Sequence, residues 1–447
     1  MNTPTTLHQI SYPSLFLTSI PAIAALALEP IAEIIDTALL GQFNSLWVAG
    51  AAATNTFIAS FTWVFNFLSY SVTAQIGQNL GSRNEHALLG LIKLAILLSL
   101  GIGALVTLVL MFGKNFFLES ILGASEQLRD TAQVYWNIRI LGFSLSLLSL
   151  ALMGVLRGLQ QFKLCFLVIF VITGFNAIGS YLSLYHFSLG MQGVAWSTVL
   201  AFAAGNTVSL YWLIFKQKIF KWSIKGHIPL RYVKSFSKDS LNLFGRSACL
   251  TTSVFLMSAI ATRLGSLSLA AHQIALQLWL LTSFFTDGLA VTAASIGSKL
   301  IGENKKDLHK LMSKRLLTGG FFCGCLFSLI YTFGKSFIIP IFSSDQELRT
   351  LLDTIWLILV LTQPINGLVY VYDGILFGTR DYTFLRKRML EGLVLIFIPS
   401  IGLLTIILDN LFGVWLSLCL LAGYRMATSA AFHHFSPHSI YNRVKAC

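Results

Sequence analysis

Apolar runs long enough to cross a bilayer recur along nearly the whole chain, separated by short polar turns. They predict helices at about 12–40, 46–78, 87–112, 131–157, 163–186 and 193–215. A second set follows at about 241–263, 268–298, 315–334, 350–377, 389–408 and 411–432. Twelve spans fill the length and leave no room for a separate soluble domain. The first run, Tyr12 to Gln42, interrupts its apolar pattern with Glu29, Glu33 and Asp36, and contains Pro21 and Pro30. At about 100° per residue, positions i, i+4 and i+7 fall within an arc of about 60°, so the three carboxylates share a face. Exposed to lipid as ions they would cost roughly 8 to 10 kcal/mol together. That face must look into protein or water, an arrangement that suits a carrier of protons or cations. Pro21 removes a backbone hydrogen bond from the same helix and lets it bend there.

Charge orients the spans. The loops after even-numbered spans carry the basic residues, among them Lys216, Lys234, Lys305, Lys310, Arg380 and Arg388. The opposite side holds little beyond Lys114, Arg129, Lys335 and Arg349, balanced by acids such as Glu119, Asp130 and Asp353. This alternation predicts cytoplasmic termini; the expected location is the bacterial cytoplasmic (inner) membrane. Residues 1–11 lack Lys and Arg, so no cleavable signal peptide is expected. The basic stretch 216–240 is read as a linker between a bundle of residues 1–215 and a second bundle with a short tail, 241–447.

The two halves are copies. A shift of about 220 residues superposes G-V-L-R-G-L-Q-Q-F (154–162) on G-I-L-F-G-T-R-D-Y (374–382), and Trp136 on Trp356. Each copy has six spans, so the repeats run parallel, related by an axis along the membrane normal. The fold class is therefore an all-α polytopic membrane protein, with twelve transmembrane helices in two six-helix bundles around a central cleft.

Composition agrees. The 447 residues are 55% hydrophobic and only 11% charged, with a mean hydropathy of +0.74. The net charge of +13 lies in the loops, which speaks for topology and against nucleic acid. Six cysteines, mostly in or beside apolar spans, suggest no disulfide framework, and Cys323 and Cys325 face opposite sides of a helix. No P-loop, H-E-x-x-H or G-x-S-x-G is present, so no enzyme, metal or cofactor is expected.

Other intramembrane polar residues are candidates for substrate or cation contact. Asp287 sits mid-span, Asp373 precedes the repeated Gly374 motif, and His272-Gln273 opens the eighth span. Arg139 and Arg263 are read as counter-charges or snorkelling side chains, with snorkelling the default. Tyr135, Asn137, Asn176, Ser180 and Thr198 lie in spans four to six, where such groups commonly bond between helices.

The stretches I-I-D-T-A-L-L-G (34–41), L-A-A-H-Q-I (269–274) and Y-D-G-I-L-F-G (372–378) resemble those of the multidrug and toxic compound extrusion (MATE) transporters, specifically their DinF branch. The resemblance runs from about Tyr12 to His433. It implies export of organic cations and other amphipathic compounds against proton or sodium gradients. It places the coupling proton on Asp36, helix bending on Pro21, and hydrogen-bond partners of the aspartate on Tyr135, Asn176 and Thr198. Some members carry a second aspartate one turn after the asparagine; here Ser180 stands there, and Glu29 or Glu33 can take its part from the same helix face. The expected protein is a monomeric proton antiporter, with sodium as the alternative coupling ion. A lipid-linked precursor flippase and a membrane-embedded transferase are the rivals.

Overall fold

The computed structural model describes residues 5–121, 126–216, 230–342, 345–408 and 410–436; the side chains of Glu29, Pro30 and a few other positions also lie outside the description. All regular structure among the described residues is helical. The first half contains α1 (Tyr12–Gly41), α2 (Ser45–Phe65), α3 (Phe67–Gly81), α4 (Glu85–Phe112), α5 (Glu126–Arg139), α6 (Phe143–Gly158), α7 (Phe162–Tyr185) and α8 (Gly190–Tyr211). The second contains α9 (Leu230–Arg263), α10 (Ser266–Gly302), α11 (Lys306–Phe342), α12 (Gln346–Gly378), α13 (Tyr382–Glu391), α14 (Ile398–Leu408) and α15 (Leu411–Phe435). Among the described residues, eleven helical segments are long and apolar enough to cross a membrane, and α5 with α6, bent by 49°, supply a twelfth if the pair is one span. That bend is not visible in hydropathy, because both arms are apolar on their packed sides.

The chain forms two compact units, Ala24–Ser237 and Met1–Ile23 with Lys238–Cys447, here called the N-terminal and C-terminal units. The division therefore falls inside α1 and near the start of α9, rather than at residues 215 and 241; of the expected linker, 217–229 lie outside the described residues. The reason is local packing. Ile10 and Leu15 are buried among Leu289, Ile296, Leu300, Met312 and Leu316. Ser19 donates to Thr292 Oγ1 at 2.9 Å. A Cβ on Gly288 would stand 2.2 Å from Ile23 Cγ1, so only glycine lets α10 approach α1 this closely.

The residues ahead of α1 are pinned to the turn between α10 and α11. Thr5 donates to Glu303 from its backbone N–H (3.0 and 3.1 Å) and from its hydroxyl (3.0 Å). Lys305 donates to the Thr5 carbonyl at 2.7 Å, and Arg315 to that of Ile10 at 2.7 Å. Burial pushes the Glu303 carboxyl up, but the bonds from Lys305 and Thr5 outweigh it and hold the group below its ordinary value.

Within each unit the internal repeat is visible as packing. A Cβ on Gly154 of α6 would meet the Ser69 carbonyl of α3 at 2.6 Å; one on Gly374 of α12 would meet the Ala290 carbonyl of α10 at 2.3 Å. Trp136 donates from Nε1 to the Leu110 carbonyl at 3.2 Å, and Trp356 to that of Tyr331 at 3.0 Å. The turns match as well. Arg83 and Gln160 take left-handed φ values of 56° and 60°, and Asn304 and Arg380 take 58° and 60°. Each partner lies about 220 residues from its counterpart. The duplication read from the sequence is one of close helix contacts and turn geometry.

Candidate functional site

Asp36 sits in the second half of α1, inside the N-terminal unit, and is only 8% exposed. Three neutral side chains face its carboxylate. Ser180 donates to Oδ1 at 2.7 Å, and Asn176 donates from Nδ2 to Oδ2 at 3.2 Å. The Thr198 hydroxyl lies 3.5 Å from Oδ2, accepts from Asn176 at 3.0 Å, and is also 3.2 Å from the Val194 carbonyl. Asn176 and Ser180 stand one turn apart on α7, so both point the same way. Hydrogen bonds to an ionised group contribute about 1.5–3 kcal/mol each, and a neutral carboxyl can remain in the same cradle. The site thus holds a buried acid with no direct ion pair among the described residues.

Tyr135, on α5, is buried beside the cluster, with Thr198 and Asn55 of α2 as its side-chain neighbours. It reaches Asp36 through Thr198. Asn55 and Asn176 each leave a buried Oδ1 without a hydrogen-bond partner among the described residues. Glu33, one turn before Asp36, is exposed on α1, and its backbone carbonyl accepts from Thr37 at 2.8 Å. The Glu29 side chain lies outside the described residues. Asn137 is exposed and accepts from Lys114 at 3.4 Å.

The C-terminal unit treats its aspartate differently. Asp373 on α12, 4% exposed, accepts from Arg425 of α15 at 2.6 Å and from Arg246 of α9. As a candidate for cation contact it is already committed to two guanidinium groups. Asp287, on α10, is half-buried and acts with both arginines on the phenol of Tyr370. His272 is fully buried, with Nε2 3.1 Å from Ser258 Oγ and its ring beside Trp415, so it faces the interior of the unit. Its neighbour Gln273 is exposed. Pro21 is half-buried in the part of α1 that packs with the C-terminal unit, two residues before the unit boundary.

Two residues at these sites escaped the sequence reading. Arg246 and Arg425 lie in apolar spans, where any charge signals a partner, and that signal was available. Of the two readings of Arg139, the counter-charge fits better than the snorkelling default, because it stands mid-way through the fourth span and its charge acts on both Asp36 and Glu33.

The comparisons fit this geometry. The MatE family model matches residues 21–182 and 243–408, one stretch in each copy. The chain belongs to the MatE family. It is 26% identical to Protein DETOXIFICATION 45, chloroplastic, of Arabidopsis thaliana, over 92% of this chain and 76% of that protein. It is also 26% identical to DNA damage-inducible protein F of Escherichia coli, over 86% of this chain and 85% of that one. Among solved structures it resembles a Vibrio cholerae MATE transporter with a TM-score of 0.85 at 16% identity, covering 94% of each chain. MATE crystal structures in bent and in straight conformations both score 0.82, covering 99% of this chain and 98% of theirs. The protein is an integral membrane efflux transporter of the MATE type and not an enzyme. The flippase and transferase alternatives give way to efflux.

Proposed function

We propose that this MATE protein is a proton-driven exporter of cationic or amphipathic organic compounds, working by alternating access with Asp36 as the exchangeable proton site. The carrying observation is the Asp36 cradle: a buried carboxylate held by neutral donors, able to gain or lose a proton without breaking an ion pair. Ionised, it favours an organic cation; protonated, it loses that attraction, so proton and substrate compete and exchange. In a one-for-one exchange with a monovalent cation the charges cancel, and each pH unit of gradient supplies about 1.4 kcal/mol, a substrate ratio of about ten. A neutral substrate also gains about 2.3 kcal/mol per 100 mV. Bending of α1 at Pro21 links the protonation state to the helix that carries Asp36. The cradle is complete within one unit of one chain, which supports a monomeric carrier. The alternating loop charge supports an inner-membrane protein with both termini in the cytoplasm.

Sodium is a second reading, favoured by the orphaned Asn176 Oδ1 close to the carboxylate. Reconstituted vesicles separate the two. Uptake of a fluorescent organic cation is expected under an imposed pH gradient, and not under a sodium gradient at equal pH on both sides. The reverse result would assign coupling to sodium, and no response to either gradient would remove ion coupling at Asp36.

A further inference from the structure

The Asp36 site contains one charged group, Arg139, to which the family resemblance gives no role and for which the helix pattern leaves counter-charge and snorkelling open. Arg139 ends α5, four residues after Tyr135, so the two project from one face of that helix. A snorkelling arginine stands near a span end with its head in water. Arg139 instead stands well inside the bent span, where the chain turns by 49°. Its charge acts on Asp36, Glu33 and Tyr135. Its Nε is buried without a hydrogen-bond partner among the described residues, and it forms no ion pair there. Leaving a buried guanidinium N–H unmade is unfavourable, so structure alone gives little reason to keep this residue. The other side chains that meet the acid among the described residues, Asn176 and Ser180 from α7 and Thr198 from α8, are neutral, as is Asn55 from α2 beside Tyr135.

We propose that Arg139 is a specificity-determining residue of the transport cycle: the fixed positive charge that a cationic substrate meets when Asp36 takes up a proton. Among the described side chains, with Asp36 and Glu33 ionised, two negative charges and one positive sum to −1, which favours a cation. Once Asp36 is neutral, Glu33 and Arg139 cancel and the sum is zero. Without Arg139 the same two states would carry −2 and −1, and a cation would still be held after protonation. Arg139 sets the zero of the switch, so that one proton is enough to release one cation. This inference rests on proton–substrate competition at Asp36 and adds the residue that completes it.

The test measures binding of tetraphenylphosphonium to purified protein in lipid nanodiscs at about pH 8 and about pH 5.5, with neutral triphenylphosphine oxide as control. At an effective dielectric near 20, a unit charge roughly 12 Å from the bound cation changes its binding by roughly tenfold. Arg139→Gln is expected to bind the cation about tenfold more tightly at both pH values and to retain it at the lower one, while exporting it more slowly. Arg139→Lys should behave as wild type, and binding of the neutral probe should be the same in all variants. If Arg139→Gln binds the cation no more tightly than wild type, or weakens both probes alike, the arginine supports structure and the proposal is wrong. Arg139→Met serves the same comparison should the glutamine variant fail to fold. A wild type whose cation binding ignores pH would overturn competition at Asp36. The comparison of Arg139→Gln with wild type at fixed pH would still decide the arginine's part.

Discussion

In the N-terminal unit a buried aspartate, Asp36, is held by Ser180, Asn176 and Thr198; in the C-terminal unit Asp373 is held by Arg246 and Arg425. The surrounding frames are copies: Gly154 on Ser69 answers Gly374 on Ala290, and Trp136 on Leu110 answers Trp356 on Tyr331. Backbone packing was thus preserved while the charge environment diverged. Neutral donors stabilise an ion yet tolerate its neutral form, so that acid can exchange a proton. Two guanidinium groups tie the other acid to fixed partners, and breaking either pair would leave a buried charge uncompensated. One duplicated scaffold therefore holds an acid among neutral donors in one copy and an acid clamped by two arginines in the other, and only the first suits the proposed proton exchange.

The comparison breaks most directly at Asp36 itself. Asp36→Asn should abolish gradient-driven export while shifting stability by no more than about 1 kcal/mol, because shape and neutral partners remain. Undiminished uptake by reconstituted Asp36→Asn would remove this group from the mechanism. At Asp373 the order of effects should reverse. Asp373→Asn leaves two buried guanidinium groups without an acid and should cost about 3–5 kcal/mol, seen as a large loss of thermal stability in detergent. If Asp373→Asn melts with wild type but fails to transport, the C-terminal acid is functional after all.

Smaller effects sharpen the picture. Pro21→Ala restores the N–H that can bond the Leu17 carbonyl, and should favour a straight α1 and slow export by roughly three- to tenfold. Spin-label distances along α1 check this; an identical pH response in wild type and variant would exclude bending at Pro21. Glu33→Gln should weaken cationic substrates by a few fold and leave neutral ones unchanged, and equal loss for both would make Glu33 structural. The smallest effect concerns the Glu303 clasp outside the membrane. Its folded value lies below the ordinary 4.5, so its contribution is fully present above about pH 4.5 and is lost only as pH falls through the lower folded value. Thermal stability of wild type and Glu303→Gln should therefore differ by a constant amount between about pH 6 and about pH 8. A difference that changes across that range would show the clasp titrating where it should not.

The sequence by itself determined the twelve apolar spans, the duplication, and the acidic face of the first helix, because hydropathy and periodicity are local properties that a bilayer makes nearly obligatory. It also singled out Asp36 with Asn176, Ser180 and Thr198, although the resemblance to the MATE transporters, rather than spacing, brought residues so distant in the chain together. Only the tertiary structure decided that the first part of α1 packs with the C-terminal unit and that the fourth span breaks after Arg139. It also decided that Asp373 is clamped by Arg246 and Arg425 and that His272 turns inward. These outcomes depend on which faces of helices meet, and a helical pattern states that a face is polar without naming what stands opposite. A charge in a membrane span announces that it has a partner, and the partner is chosen by packing.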